Sequence, residues 1–248
     1  MRLVPQFAVP KKDSDELRPI SVMTASGFNL GISKDASKVR YDNLVDLGPY
    51  LRHLYHILGE LPGHLYKCDV SKAYRLLPMR PLVMLLQVVE TFELSSKRTY
   101  RIDWFGVFRN RYMPRLWCTF FGMVVWSLRF HVKIEIPLHY TDDQFGYDKS
   151  PQLELYSHTN EARLIPRDQK TTLLFWDYLG IPHSWSKQEF GRSLVIIGFQ
   201  VNLNGLTISL STAARLKVLA EIRNFLAAPN HKLQKWWSFL GYLNWALK

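Results

Sequence analysis

The sequence predicts an α+β fold built on a ferredoxin-like, split βαβ sheet with helices on one face, and three observations carry that expectation. Between residues 65 and 201 the hydrophobic patterning runs strand, helix, strand hairpin, helix, strand. Helical stretches repeat apolar residues every three to four positions, whereas strand-like runs are short and bounded by Gly, Pro, Asn and Asp. With 47% hydrophobic and 14% aromatic residues in a chain of 248, there is ample material for a buried core, which excludes disorder as a description of the whole.

Residues 7–22 read as strand, turn, strand: Phe7-Ala8-Val9, a polar tip of Lys11, Lys12, Asp13, Ser14, Asp15 and Glu16, then Leu17-Arg18-Pro19-Ile20-Ser21-Val22. After a connection rich in Ser, Gly and Lys, Gly48 and Pro49 are expected to open a short helix with Leu51, Leu54, Tyr55 and Leu58 on one face; Pro62 and Gly63 end it. Residues 65–70 follow as a strand, and 71–77 turn into a helical or irregular segment. Two strand-like runs, 82–94 and 99–107, flank a polar Ser95-Ser96-Lys97-Arg98 and predict a second hairpin. Pro114 suits the first turn of a helix to about residue 130, with Leu116, Phe120, Met123, Val124 and Ser127 sharing a face.

Residues 134–140 alternate toward Asp142 and Asp143 and 145–147 resume beyond, the outline of a hairpin with both acids at its tip. Residues 148–165 show no period and read as loop. Pro166 starts another helix, which Gly180 and Pro182 stop. Strands over 194–201 and 206–210 are joined across Asn204-Gly205. Ser211 or Thr212 caps a helix to about residue 226, and residues 232–247 supply a last amphipathic helix rich in Trp. No internal repeat or low-complexity tract interrupts this order.

Charge narrows the function. Lys and Arg number 32 against 21 Asp and Glu, a net +11 that favours a polyanionic partner such as nucleic acid. The longest apolar stretches, 82–92 and 117–130, are broken by polar residues and fall short of the roughly 20 residues that cross a bilayer, so no membrane partner is expected. The opening residues lack the apolar core of a secretory signal, and Cys68 and Cys118 are the only cysteines. An intracellular location, cytoplasm and/or nucleus, is the expectation.

Adjacent residues of a regular strand point to opposite faces, so Asp142 and Asp143 reach one site only where the strand turns, and the sequence puts them at such a turn. Asp69 ends a separate apolar strand, and in a split βαβ sheet that end can lie beside the hairpin tip. Three carboxylates in a small volume repel one another unless divalent cations sit between them, and hard oxygen ligands of this kind suit Mg²⁺. Two such ions can activate an attacking hydroxyl and stabilise a leaving phosphate oxygen.

The neighbours of these acids sharpen the reading. Tyr140-Thr141-Asp142-Asp143-Gln144-Phe145, preceded by Lys67-Cys68-Asp69-Val70-Ser71-Lys72-Ala73-Tyr74, resembles motifs C and A of reverse transcriptases, the palm-fold RNA-directed DNA polymerases. Lys11-Lys12 with residues 17–20 looks like their fingers segment, and Met113-Pro114-Arg115 lies where motif B belongs. Residues 179–188 look like motif D, 196–201 like motif E, and 239–245 like the start of a thumb. These ordered matches span nearly the whole chain, in the style of retrotransposon enzymes, particularly fungal-type retroelements. The resemblance implies a right-hand polymerase fold: fingers at 1–63 and 82–110, palm at 64–81 and 111–211 with the ferredoxin-like sheet, and a partial thumb at 212–248. It further implies a piece of a longer polyprotein whose ribonuclease H or integrase/recombinase domains lie elsewhere, or a truncated gene copy, working on an RNA or DNA template and primer with dNTP substrate.

Through the same resemblance Asp69, Asp142 and Asp143 are implied ligands of two Mg²⁺ ions, with Mn²⁺ a possible substitute and the main-chain carbonyl of Val70 a further ligand. Tyr74, five residues after Asp69, stands where the family keeps a ring beneath the incoming sugar that leaves no room for a 2′-hydroxyl. That disfavours an RNA-dependent RNA polymerase. Lys11 and Arg18 match the residues that grip the triphosphate, and Lys187 matches a general acid for the pyrophosphate leaving group. Gly198 and Phe199 would help to position the primer end, and Lys232 and Lys235, among Trp236, Trp237, Tyr242 and Trp245, would meet a duplex backbone. Plainer readings stand beside these: Tyr74 as a core aromatic, Lys187 as a surface lysine, the tryptophans as packing.

Motif B departs from the family. Arg109 stands where a glycine is expected and Met113 where a small residue is. Arg109 could swing toward the triphosphate and assist, or obstruct the pocket and leave a catalytically decayed retroelement remnant that only binds nucleic acid.

Overall fold

The computed structural model of the chain describes residues 3–10, 17–92, 98–227 and 230–247. Strands β1 (Leu3–Val4), β2 (Gln6–Pro10) and β3 (Leu17–Ser21) precede helix α1 (Leu44–Leu58) and strand β4 (His64–Asp69). A helical turn α2 (Pro81–Met84) opens the pair β5 (Val88–Phe92) and β6 (Arg98–Ile102), and helix α3 (Met113–Phe130) leads to β7 (Leu138–Tyr140) and β8 (Asp143–Asp148). Strands β9 (Leu153–His158) and β10 (Glu161–Pro166) feed helix α4 (Arg167–Leu179) and β11 (Glu189–Gly191). The chain then forms β12 (Ser193–Ile196), β13 (Phe199–Asn202), β14 (Thr207–Leu210), α5 (Thr212–Leu226) and α6 (Leu233–Ala246).

The central sheet has the order β11-β4-β8-β7. Counted along the chain, its strands lie fourth, first, third, second, with α3 between the first and second and α4 between the third and fourth: a ferredoxin-like, split βαβ arrangement in an α+β fold. Its fourth strand is β11, in antiparallel register with β4 (Glu189 opposite Lys67, Gly191 opposite Leu65), and not residues 194–201 as the sequence pattern suggested.

Two compact units divide the chain. In the first (Met1–Asp42, Asp69–Gln144, Thr172–Lys187), α3 buries Met113, Trp117, Phe121, Val124, Val125 and Leu128. Trp117 stacks on Phe121 at 5.1 Å, and Phe121 meets the buried Trp176 at 5.7 Å. The expected face of this helix is offset: Met123 is 60% exposed, because the aromatic series beginning at Met113 carries more area into the core than the aliphatic one. This unit also holds the β1-β5-β6 sheet and the β2-β3 ribbon, whose register pairs Val9 with Arg18.

In the second unit (Asn43–Cys68, Phe145–Thr171, Gln188–Lys248), α1 buries Leu47, Leu51 and Leu54, and β4 buries Leu65, Tyr66 and Cys68. Helix α1 begins before Gly48-Pro49. Asn43 accepts from the Val45 N–H at 2.9 Å while Asp46 accepts from the Asn43 N–H at 2.9 Å, a reciprocal cap that starts the helix four residues early and leaves Pro49 in its second turn. It ends on Gly59 at φ 66°, ahead of Pro62.

Three further expectations need correction. The apolar run from residue 82 starts as a helical turn, because Pro81 occupies its first turn and Leu85 N–H returns to the Pro81 carbonyl. Residues 148–165 are no loop: β9 and β10 form a six-pair hairpin turning at Thr159, which has φ 56°. Most of its apolar side chains, such as Leu155 and Leu164, are exposed, so burial imposed no clean alternation on the sequence. The strand expected over 194–201 breaks at Ile197 and Gly198, both left-handed (φ 51° and 85°), into the β12-β13 hairpin. Ser211 does cap α5, accepting from the Ala214 N–H at 3.2 Å. No helix among the described residues is long and apolar enough to cross a membrane.

Gly198 is required twice over, by its positive φ and because a Cβ added there would lie 2.8 Å from Trp245 Cζ2 on α6. Gly198→Ala is expected to lower the unfolding free energy by about 1–3 kcal/mol, measured by urea titration. An unchanged midpoint would contradict this packing.

Candidate functional site

Asp69 is the last residue of β4 and Asp143 the first of its neighbour β8, so the sheet order brings their strand ends side by side. The Val70 N–H donates to the Asp142 carbonyl at 3.1 Å, tying the end of the first strand to the β7-β8 turn. On its other flank Val70 bridges His183, and the Ser71 N–H donates to the Pro182 carbonyl at 2.8 Å. That bridge carries the segment after α4, in which a 3₁₀ turn (Trp185–Lys187) with Trp185 buried delivers Lys187. Lys187 Nζ lies 2.6 Å from Asp69 Oδ1.

The turn that carries Asp142 is held from below. The Trp117 indole N–H donates to the Thr141 carbonyl at 2.8 Å, and Trp117 is fully buried in α3. Thr141 has φ 55°, and its hydroxyl lies 2.7 Å from both the Tyr140 carbonyl and Asp142 Oδ1, one proton serving two acceptors. Left-handed backbone recurs around the site, at Lys72 (φ 56°) ahead of Tyr74 and at Arg109 (φ 70°). Such residues persist only where the surroundings over-determine them.

Tyr74 sits in a 3₁₀ turn (Ala73–Leu76), half-buried, its ring 4.9 Å from that of Phe108. Burial, then the negative charge of Asp142, hold its hydroxyl far above the usual range, so it stays protonated and within electrostatic reach of that carboxylate. Burial and Asp142 also push the Cys118 thiol up to about 11, against a backbone hydrogen bond at Thr141 that pulls it down. Arg75 grips both carboxylate oxygens of Asp103 at 2.7 Å, which fixes the turn after Tyr74 to the segment following β6.

The structure therefore gathers Asp69, Val70, Asp142, Asp143, Tyr74 and Lys187 at one end of the sheet within the first unit. Among the described residues, Asp69, Asp142 and Asp143 do not form a group whose ligand oxygens all lie within 4.8 Å of one another. Like charges repel, and the Asp69 carboxylate turns to the Lys187 ammonium instead. The donor chemistry nonetheless suits a hard divalent cation: carboxylates, of which Asp69 already holds a positive group, and the main-chain carbonyl of Val70, the next residue in the chain. Lys11 lies outside the described residues, as does the side chain of Arg18, whose backbone pairs with Val9. Arg109 is exposed. Asn29 is a supporting residue that the sequence pattern did not single out, because it acts through partners distant in sequence; Trp117 and Thr141 lie within the motif stretches, but the hydrogen bond that joins them runs to a main-chain carbonyl and leaves no pattern.

No protein-family model matches the chain, and no curated protein matches it. Solved structures do. The foamy viral protease-reverse transcriptase in complex with double-stranded DNA aligns over 98% of this chain and 42% of its own, with TM-score 0.61 and 14% identity. The dRH form of that protein with double-stranded DNA aligns over 98% and 36%, with TM-score 0.55 and 18% identity. The same protein with an RNA/DNA hybrid aligns over 98% and 27%, with TM-score 0.55 and 17% identity. The chain thus spans less than half the length of these three structures, and what it shares with them is the reverse transcriptase polymerase-like fold.

Asp142→Asn removes a negative charge near Cys118, so the thiol pKa should fall and more thiolate form. Alkylation of Cys118 at pH 9 should quicken by about 2–10-fold, with the fully buried Cys68 as internal control; an unchanged rate would contradict the proximity. The folded state keeps this thiol protonated to higher pH than the unfolded chain does. Its contribution to stability is therefore present below pH 9 and lost as pH rises toward 11.

Proposed function

We propose that this chain is an RNA-directed DNA polymerase domain that extends a primer with dNTPs on an RNA or DNA template, derived from a retrotransposon of fungal type and forming part of a longer polyprotein. The observation that carries the reading is the 3.1 Å hydrogen bond from Val70 to the Asp142 carbonyl, which joins the strand end bearing Asp69 to the turn bearing Asp142 and Asp143. The fold shared with foamy viral reverse transcriptases supports it, and so does the +11 charge. In this reading residues 1–63 and 82–110 serve as fingers, 64–81 and 111–211 as palm, and 212–248 begin a thumb.

The reaction joins the primer 3′-oxygen to the α-phosphorus of the dNTP and breaks the bond to pyrophosphate. Two divalent cations, Mg²⁺ or in its place Mn²⁺, held by Asp69, Asp142, Asp143 and the Val70 carbonyl, would supply activation of the hydroxyl and neutralisation of the leaving oxygens. Tyr74 turns its ring to the sugar and excludes a 2′-hydroxyl. Lys11 and Arg18, the residues the family resemblance matches to the triphosphate grip, hold the triphosphate. Lys187, released from Asp69, gives its proton to the departing pyrophosphate. Arg109 takes a left-handed backbone conformation that a glycine adopts without strain, which favours the active reading over a binding-only remnant.

Primer extension on an RNA template tests this. Wild-type protein should extend with dNTPs in preference to NTPs, and Asp142→Asn should reduce extension by at least about 100-fold. Salt-sensitive template binding without extension would leave the binding-only remnant, and efficient NTP use would overturn the role of Tyr74.

A further inference from the structure

We propose that Asn29 is a positioning residue for the nucleotide pocket, clamping the 109–111 loop in the left-handed turn that follows Phe108. The pocket role rests on the polymerase reading of Tyr74; the clamp itself does not.

Asn29 is 6% exposed, within a 3₁₀ turn (Phe28–Gly31) of the connection between β3 and α1. Both ends of its carboxamide are used. Nδ2 donates to the Arg109 carbonyl at 2.9 Å and to Thr24 Oγ1 at 3.2 Å, while Oδ1 accepts from the Arg111 N–H at 2.9 Å. One side chain thus satisfies the main chain on both sides of Asn110, as a partner strand would. Arg111 answers in kind, its Nη1 donating to the carbonyls of Asn29 at 2.9 Å and Ile32 at 3.0 Å. The two segments are about eighty residues apart, and Asn110, between the two clamped residues, is 3% exposed.

The clamp acts where the backbone resists. A residue with a Cβ at φ 70° is disfavoured, and relaxing Arg109 would redirect Phe108 on one side and Asn110 on the other. The far end of the same loop is fixed to the Tyr74 turn. The Gly106 N–H donates to the Leu77 carbonyl at 2.9 Å, and a Cβ at Gly106 would strike Met113 Sδ and the Tyr74 carbonyl. The loop is strung between Tyr74 and Asn29, and the Phe108 ring packs on Tyr74 along the way. A carboxamide offers a donor and an acceptor on two separate atoms, one for each side of Asn110; aspartate keeps the acceptor and loses the donor.

The test uses Asn29→Ala and Asn29→Asp in the whole chain. Hydrogen exchange of the Arg111 amide should quicken about tenfold or more in Asn29→Ala and stay slow in Asn29→Asp, which retains its acceptor. In steady-state extension the KM for dNTP should rise about tenfold in both variants while primer–template affinity holds, a split that general destabilisation would not produce. In an Arg109→Gly background the KM effect of Asn29→Ala should shrink below about threefold, because glycine takes the left-handed conformation without help. A parallel loss of primer–template affinity, or an undiminished KM effect in that background, would overturn the positioning role. Should the wild-type chain bind primer–template yet extend nothing, the polymerase reading fails by itself; the exchange arm still decides the clamp, and unchanged Arg111 protection in Asn29→Ala overturns it.

Discussion

A single main-chain hydrogen bond, from Val70 N–H to the Asp142 carbonyl, joins two segments whose meeting gives the molecule its candidate chemistry. A strand that ran on regularly past Asp69 would spend its backbone groups on a ladder and point alternate side chains away. Here the ladder stops at Asp69. Val70 then bonds to the β7-β8 turn on one side and to the segment before Lys187 on the other, and the carboxylates stand where both meet. The order β11-β4-β8-β7 makes this possible, since it sets the first and third strands of the motif next to each other.

Around that junction the fold keeps polar and strained groups in place with buried apolar mass. Trp117 packs on Phe121 in the core of α3 and still spends its one N–H on the Thr141 carbonyl, so hydrophobic packing also sets the turn that carries Asp142. Tyr74 is held by rings and backbone, and the negative charge of Asp142 reaches it through partly desolvated surroundings. The Asp69–Lys187 pair balances charge at an end of the sheet where carboxylates alone would repel. Left-handed residues at Lys72, Thr141 and Arg109 flank the site, Lys72 two residues ahead of Tyr74 and Thr141 next to Asp142.

Much of this was legible in the sequence where the determinants are local. The Asp142-Asp143 turn, the strand ending at Asp69, the β2-β3 ribbon and the Ser211 cap each depend on a few consecutive residues, and each stands where the pattern put it, with the tip of the ribbon outside the described residues. The β9-β10 hairpin leaves little trace in the sequence because most of its apolar residues face outward, and Gly48-Pro49 signal a helix start more strongly than the quieter Asn43 and Asp46 cap that opens α1. Asn29 leaves none, for a different reason. Nothing near it in the chain hints at a role, since its partners Arg109 and Arg111 are supplied by a remote loop. Arg109 itself reads as a broken motif in sequence, yet its backbone takes a left-handed conformation that glycine adopts without strain.

The most direct test of the junction is Mn²⁺ binding followed by electron paramagnetic resonance on wild-type protein, Asp69→Asn, Asp142→Asn and the double substitution. If the two strand ends form one cation site, each single change weakens binding about tenfold or more, and the double change costs far less than the product of the two. Unchanged affinity in either single variant, or strictly multiplicative losses, would mean that the acids on the two strands act apart.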